Sequence, residues 1–206
     1  MRLLQPLRGY RSLAFLLRPL GLFLLGLSLG GIQPPVVLAA DFPPAPNPLP
    51  LEAGLPTETQ TLIYTFVSAR CPCSQAHEPV LAELAAKLSH APSIKLIGIH
   101  SNANETEQEG QKRWRRGNQD LLGFPVVRDP GLKWADAFGA VKTPHVFVVD
   151  RATRKILYRG GVDDSSHPTQ ARKHYLKDLV SGLMAGQMPP FQETRALGCR
   201  IARDAS

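Results

Sequence analysis

The sequence predicts an α/β fold, a mixed central sheet with helices on both faces. Three observations predict it. Runs of β-branched and aromatic residues at 61–67 (TLIYTFV), 94–100 (IKLIGIH) and 145–150 (HVFVVD) alternate with helix-forming stretches, and that alternation implies crossover connections. The chain has 206 residues, 43% of them apolar, which suits one globular domain with extensions. Pro144 stands directly before the third run, where a residue without an N–H cannot donate to a ladder.

The elements follow in order. Residues 1–39 read as a signal peptide: Arg2, Arg8, Arg11 and Arg18 come first, an apolar stretch runs from Leu20 to Ile32, and Val37-Leu38-Ala39 offers small residues for cleavage. Gln33, Pro34 and Pro35 cut the apolar run short of the ~20 residues a bilayer span needs. The mature chain is therefore expected to begin near Ala40 or Asp41, in a periplasmic or other extracytoplasmic compartment. Residues 40–58 carry Pro43, Pro44, Pro46, Pro48, Pro50 and Pro56 and read as an extended, semi-rigid linker. A folded domain over 59–188 and a C-terminal tail over 189–206 complete the chain.

Within the domain, strand 61–67 is followed by a helix from Cys73 to about Ser89, with Val80, Leu81, Leu84 and Leu88 as its apolar stripe. Strand 94–100, a polar helix from Glu105 to about Leu122 with a break near Gly117, and a short strand at 125–128 come next. A turn at Asp129-Pro130-Gly131 leads to a short helix over 132–138. Strand 145–150 pairs with 156–159 as a hairpin, and a last helix runs over 172–185 until Gly186 and Pro189-Pro190.

The net charge of +7 is uneven: residues 1–40 hold four arginines and no acid, and the rest holds 20 basic and 17 acidic residues. That balance does not argue for nucleic acid, and the basic stretch 112–116 around Trp114 reads as a solvated helix face. Trp114 and Trp134 read as packing residues, and Asp163-Asp164 as a solvated turn after Gly160-Gly161.

The strand, Cys71-Pro72-Cys73-Ser74, helix, and later Thr143-Pro144 before strand–strand–helix resemble the thioredoxin superfamily. The stretch FPVVRDPGLKWADAFGA before TPHVFVVD is similar to the strand–helix insertion of its redoxin branch, the peroxiredoxin-like (AhpC-TSA-like) proteins. GIHSNANE (98–105), YRGGVDD (158–164) and GCRI (198–201) resemble one group of that branch, so the likeness covers roughly residues 59–201. It implies a thioredoxin-like fold and an active centre at Cys71, with Thr143 and Pro144 beside it and a cis Thr143-Pro144 bond.

The chemistry reads from the thiol cluster. Pro72 suits the first helical position, which makes Cys71 the N-cap. Helix dipole and free N–H donors then favour its thiolate, and Arg70 adds a neighbouring cation. The superfamily's usual second cysteine stands three residues on, and here that position is Ser74. Two resolving candidates remain, Cys73 and Cys199. Side chains two apart on a helix point to different sides, so a Cys71–Cys73 bridge must distort the first turn, whereas Cys199 must fold back across 128 positions. The expected function is an exported thiol–disulfide oxidoreductase acting on a disulfide-bearing protein or a small-molecule thiol, with Cys71, Cys73 and Cys199 as catalytic residues and Thr143 and Pro144 as substrate-binding residues. No cofactor and no stable membrane insertion of the mature chain are expected. Two alternatives stay open. One is a copper(I)-binding module using Cys71, Cys73 and Cys199 with His77 one turn on; otherwise His77 reads as a surface histidine. The other is thiol peroxidase chemistry, for which Ser68 can stand for the Thr of the Pro-x-x-x-Thr-x-x-Cys motif but Tyr64 occupies the Pro position.

Overall fold

The computed structural model describes residues 42–188 and 191–204. The expected signal peptide, its cleavage point and the Pro189-Pro190 stop lie outside those residues. In chain order the elements are β1 (Thr61–Val67), α1 (Pro72–Leu88), β2 (Ile94–His100), α2 (Glu107–Trp114), β3 (Arg115–Arg116), β4 (Gln119–Asp120), β5 (Val126–Arg128), α3 (Lys133–Phe138), β6 (Lys142–Thr143), β7 (His145–Asp150), β8 (Ile156–Gly160), α4 (Tyr175–Met184) and β9 (Cys199–Arg200). Among the described residues, no helix is long and apolar enough to cross a membrane.

Five strands form the central sheet in the order β5-β2-β1-β7-β8. β1 runs parallel to β2 and antiparallel to β7, β2 runs parallel to β5, and β7 and β8 form the hairpin. β1 is buried along almost its whole length, as its unbroken apolar run requires of a central strand covered on both sides. Its side chains alternate between two cores. Ile63 and Val67 pack with Leu81, Leu84 and Leu88 of α1 and Leu176 and Leu179 of α4. Leu62, Tyr64 and Phe66 pack on the opposite face with Phe138 of α3 and Phe147 of β7, where Phe138 and Phe147 stand at a ring separation of 5.1 Å. The fold class is the expected one, a mixed sheet with helices on both faces.

Two local expectations change. The polar helix is shorter than predicted: a capping box in which Thr106 and Glu109 satisfy each other's backbone N–H groups starts α2, and it ends at Trp114. The chain then turns through Gly117, at φ +60°, into the small hairpin β3–β4. The Pro-rich stretch is extended but does not stand free of the domain. Ala45 and Leu49 are buried in the second core with Phe42 and Leu55 against them, Tyr64 Oη donates to the Pro50 carbonyl at 3.0 Å, and Arg154 donates to the Pro46 carbonyl and to Glu52. A few apolar plugs and backbone acceptors are enough to lay a proline-stiffened segment along a surface.

The C-terminal tail also lies on the domain. Residues 191–203 form a strap: Thr194 meets Tyr158 and Gly161, Ile201 is buried in the second core, Ala202 N–H donates to Asn102 Oδ1 at 2.8 Å, and Arg203 donates to the Ala140 carbonyl and pairs with Asp136.

Candidate active site

The site sits where α1, the loop before β7 and the strap converge. Pro72 at the first helical position makes Cys71 the N-cap, as its place in the sequence predicts, and the Ser74 N–H donates to Cys71 Sγ at 3.4 Å. That donor and the positive end of the helix dipole favour negative charge on the sulfur. The Thr143 carbonyl oxygen stands 3.2 Å from the same sulfur; it opposes a bare thiolate and accepts a hydrogen bond from a protonated thiol. The Thr143-Pro144 bond is cis.

Cys71 is bonded to Cys199, with Cα atoms 5.9 Å apart and a sequence separation of 128. The bridge is delivered by the strap, because β9 pairs antiparallel with β6 in the register Thr143↔Cys199 and Lys142↔Arg200. Gly198 makes this approach possible. Its backbone lies against Thr143 so closely that an added Cβ would collide with the Thr143 carbonyl and crowd Pro144 N, and its φ is +157°. Cys73 keeps a free, half-buried thiol. The sulfurs of Cys71, Cys73 and Cys199 all lie within 4.8 Å of one another.

A buried polar network braces the loop in front of Cys71. Ser68 Oγ accepts from Cys71 N–H at 2.9 Å and donates to Glu105 Oε1 at 2.5 Å. Glu105 Oε2 accepts from Ala69 N–H at 2.8 Å and from His100 Nε2 at 2.7 Å. Burial alone would raise the Glu105 carboxyl, but the hydrogen bonds from His100, Ser68 and Ala69 and the attraction of His100 outweigh it and hold it below the usual carboxylate range.

Several sequence expectations need correction here. Arg70 is not a free cation beside Cys71: its guanidinium is engaged with Glu109 at 2.8 and 2.5 Å, and the Glu109 carboxyl is held down to about 2 by the Thr106 N–H and by Arg70. His77 is no surface residue. It is 1% exposed, with Nδ1 against the Cys73 carbonyl at 2.7 Å and Nε2 against Asp163 at 3.1 Å. Both ring nitrogens are thus committed, which removes His77 from the copper ligand set. Asp163 is buried under that contact, while Asp164 caps backbone N–H groups of Arg172 and Lys173 at the surface. Trp114 is a packing residue, as expected, stacked edge-on against His100, and Trp134 packs at the edge of the second core. Tyr64, at the position where peroxidases carry a proline, is spent on the core and on Pro50. Sequence reasoning gave no role to Glu105, His100 and Gly198, although all three lie in the stretches GIHSNANE and GCRI that carried the resemblance.

The comparisons fit this geometry. A family model described as thioredoxin-like matches residues 59–156, the span from the first strand of the sheet to the start of β8. Over that span the fold is thioredoxin-like. Among solved structures, this thioredoxin-like chain is similar to a hypothetical protein from Sinorhizobium meliloti at 27% identity, over 72% of this chain and 82% of that one, with a TM-score of 0.60. It is also similar to an uncharacterized conserved protein from Geobacillus kaustophilus at 24% identity, over 71% and 79%, with a TM-score of 0.59. StoA from Bacillus subtilis matches at 20% identity over 50% of this chain and 75% of that one, with a TM-score of 0.43. No curated protein matches the sequence.

Proposed function

We propose that this chain is an exported thiol–disulfide oxidoreductase in which Cys71 is the nucleophile and Cys199 the resolving cysteine. The observation that carries the reading is the Cys71–Cys199 bridge across the N-terminus of α1, beside cis-Pro144. In the reduced chain the Cys71 thiolate attacks one sulfur of a partner's disulfide, a mixed disulfide forms, and the partner's other sulfur leaves as a thiolate. Cys199 thiolate then attacks Cys71 Sγ, the Cys71–Cys199 bond forms and the partner's second thiolate leaves. The partner gains two electrons and the chain gives up two. Thr143 and Pro144 line the site, and the Thr143 carbonyl accepts a hydrogen bond from the thiol when Cys71 is protonated. The basic leader and a disulfide at the working centre suit an oxidising extracytoplasmic compartment.

The test is trapping. Alkylation of the reduced chain at about pH 6, where an ordinary thiol is almost wholly protonated, labels Cys71 first. Cys71→Ser abolishes exchange with a disulfide-bonded protein substrate, and Cys199→Ser accumulates a mixed disulfide at Cys71. Full exchange by Cys71→Ser overturns the assignment, and a Cys73→Ser variant that traps while Cys199→Ser turns over reverses the resolving role.

One observation favours a second reading. Three sulfurs within 4.8 Å of one another offer the reduced chain a soft thiolate set for copper(I). Stoichiometric copper(I) binding that is lost in Cys71→Ser, together with absent disulfide exchange, would select it.

A further inference from the structure

The strap occupies the edge of β6 that an extended partner chain would use. Thr143 and Lys142 are already paired with Cys199 and Arg200, and the strap is pinned on both sides of the disulfide by Thr194 and by Ile201, Ala202 and Arg203. While it is seated, a polypeptide cannot add a strand at Thr143. Of the two bridged residues, Cys71 is 4% exposed and Cys199 is half-buried, so the Cys199 side of the bridge is the more open to an incoming thiolate. Cys71, with the Ser74 N–H on its sulfur, is then the better leaving group.

A cavity of about 360 Å³ opens between this strap, β8 and the loop before β7. Its walls are lopsided in charge. Lys142, Arg159 and Arg195 line it against one carboxylate, Glu193, and Glu193 is already paired with Arg159 at 2.8 Å. Among the described residues, Lys142 and Arg195 have no acidic partner within ion-pair distance. His145 forms part of the wall and is 7% exposed. Its Nδ1 accepts from the Val141 N–H at 3.4 Å, which places the ring proton on Nε2, and Nε2 has no protein partner among the described residues and is not sealed from solvent. Burial, with Arg159 and Lys142 nearby, pushes the imidazole down to about 4, so at neutral pH it is an uncharged donor. Two unpaired cations and one unused N–H donor around a small cavity suit a carboxylate.

We infer that this cavity binds the anionic end of a small carboxylate-bearing thiol, and that such a thiol is the reductant of the Cys71–Cys199 disulfide. The inference rests on the oxidoreductase reading and names its electron donor by class. A first thiolate attacks Cys199 Sγ, the bond to Cys199 forms, and Cys71 leaves as thiolate. A second thiolate attacks the sulfur of the bound small thiol, forming the small-molecule disulfide and releasing Cys199 thiolate. Two small thiols are oxidised and one protein disulfide is reduced.

The experiment is the rate of reduction of the oxidised full chain by 3-mercaptopropionate, 2-mercaptoethanol and cysteamine, each divided by its thiolate concentration and intrinsic nucleophilicity. The expected order is anionic over neutral over cationic, with about a five- to tenfold step from first to second at low salt that shrinks at high salt. Lys142→Ala with Arg195→Ala collapses the step, and Lys133→Ala with Lys155→Ala, an equal loss of two exposed cations outside the cavity lining, leaves it in place. Rates that do not depend on carboxylate charge, or a preference that survives Lys142→Ala/Arg195→Ala, overturn the cavity's role. If those rates are flat while the reduced chain still reduces a protein disulfide, only this inference falls. If no thiol reduces the chain and no exchange is seen, the oxidoreductase reading falls with it.

Discussion

Replacing Cys199 by serine unties a loop closed over a sequence separation of 128. In the chain-entropy account a cross-link of that span removes about 5 kcal/mol of freedom from the unfolded chain at 25 °C. A domain of this size is stable by roughly 5–15 kcal/mol in all, so the loss is a large share of the total. It corresponds to a drop in Tm of about 10–20 °C for a domain near 150 residues. Urea unfolding followed by the fluorescence of Trp114 and Trp134 measures it, on the oxidised wild type, the same protein with excess reductant, and Cys199→Ser. The last two should agree. Cys73→Ser keeps the bridge and should stay within about 1 kcal/mol of the oxidised protein. Read from the redox side, the same cycle says that folding favours the Cys71–Cys199 bond about 10³–10⁴-fold over its formation in the unfolded chain. If oxidised and reduced proteins unfold at the same midpoint with the same slope, the bridge does not constrain the unfolded chain and this reasoning fails.

Gly198→Ala puts a methyl group against the Thr143 carbonyl and Pro144 N, and should weaken the seating of the strap by a few kcal/mol; the oxidised variant should be reduced at lower thiol concentration in a thiol–disulfide buffer. Glu105→Gln breaks the hydrogen bonds to Ser68, Ala69 and His100 at about 2–4 kcal/mol. Because the folded-state value of Glu105 is depressed, its contribution is present above the unfolded carboxylate value near ~4.3 and is lost as pH falls through the folded one; the acid limb of a stability–pH curve should flatten in the variant. N-terminal sequencing of the exported protein should begin near Ala40 or Asp41, and residues 1–30 retained on a membrane-bound form would indicate an anchor instead.

The strands were legible because burial on two faces demands long β-branched runs, and β1, β2 and β7 occupy the predicted residues. The N-cap role of Cys71 was legible from Pro72, since proline's fixed φ and missing N–H suit the first helical position. The boundary of α2 was not, because 105–122 has no apolar stripe to show where helix gives way to hairpin. Spacing excluded neither Cys73 nor Cys199 as the partner of Cys71; what brings Cys199 there is the course of a strap held by Ile201, Ala202 and Arg203, which depends on tertiary contacts. The His77–Asp163 contact spans 86 positions, so no local pattern marks it, and a histidine on a helix looks like a surface residue until its partner arrives. The prolines at 43–56 suggested a solvated tether because composition does not register that Ala45 and Leu49 suffice to plug a groove.

The strap has a consequence for how the molecule is made. Cys199 follows Cys71 by 128 positions, so during vectorial synthesis Cys71 emerges long before its partner. Throughout that interval the nearest thiol along the chain is Cys73. The five-stranded sheet and α4 are complete before residue 199 appears, and β9 is the final strand to be laid down. Closure of the Cys71–Cys199 bond therefore reports that essentially the entire domain has been delivered and folded, and an arrested or truncated product would carry Cys71 open.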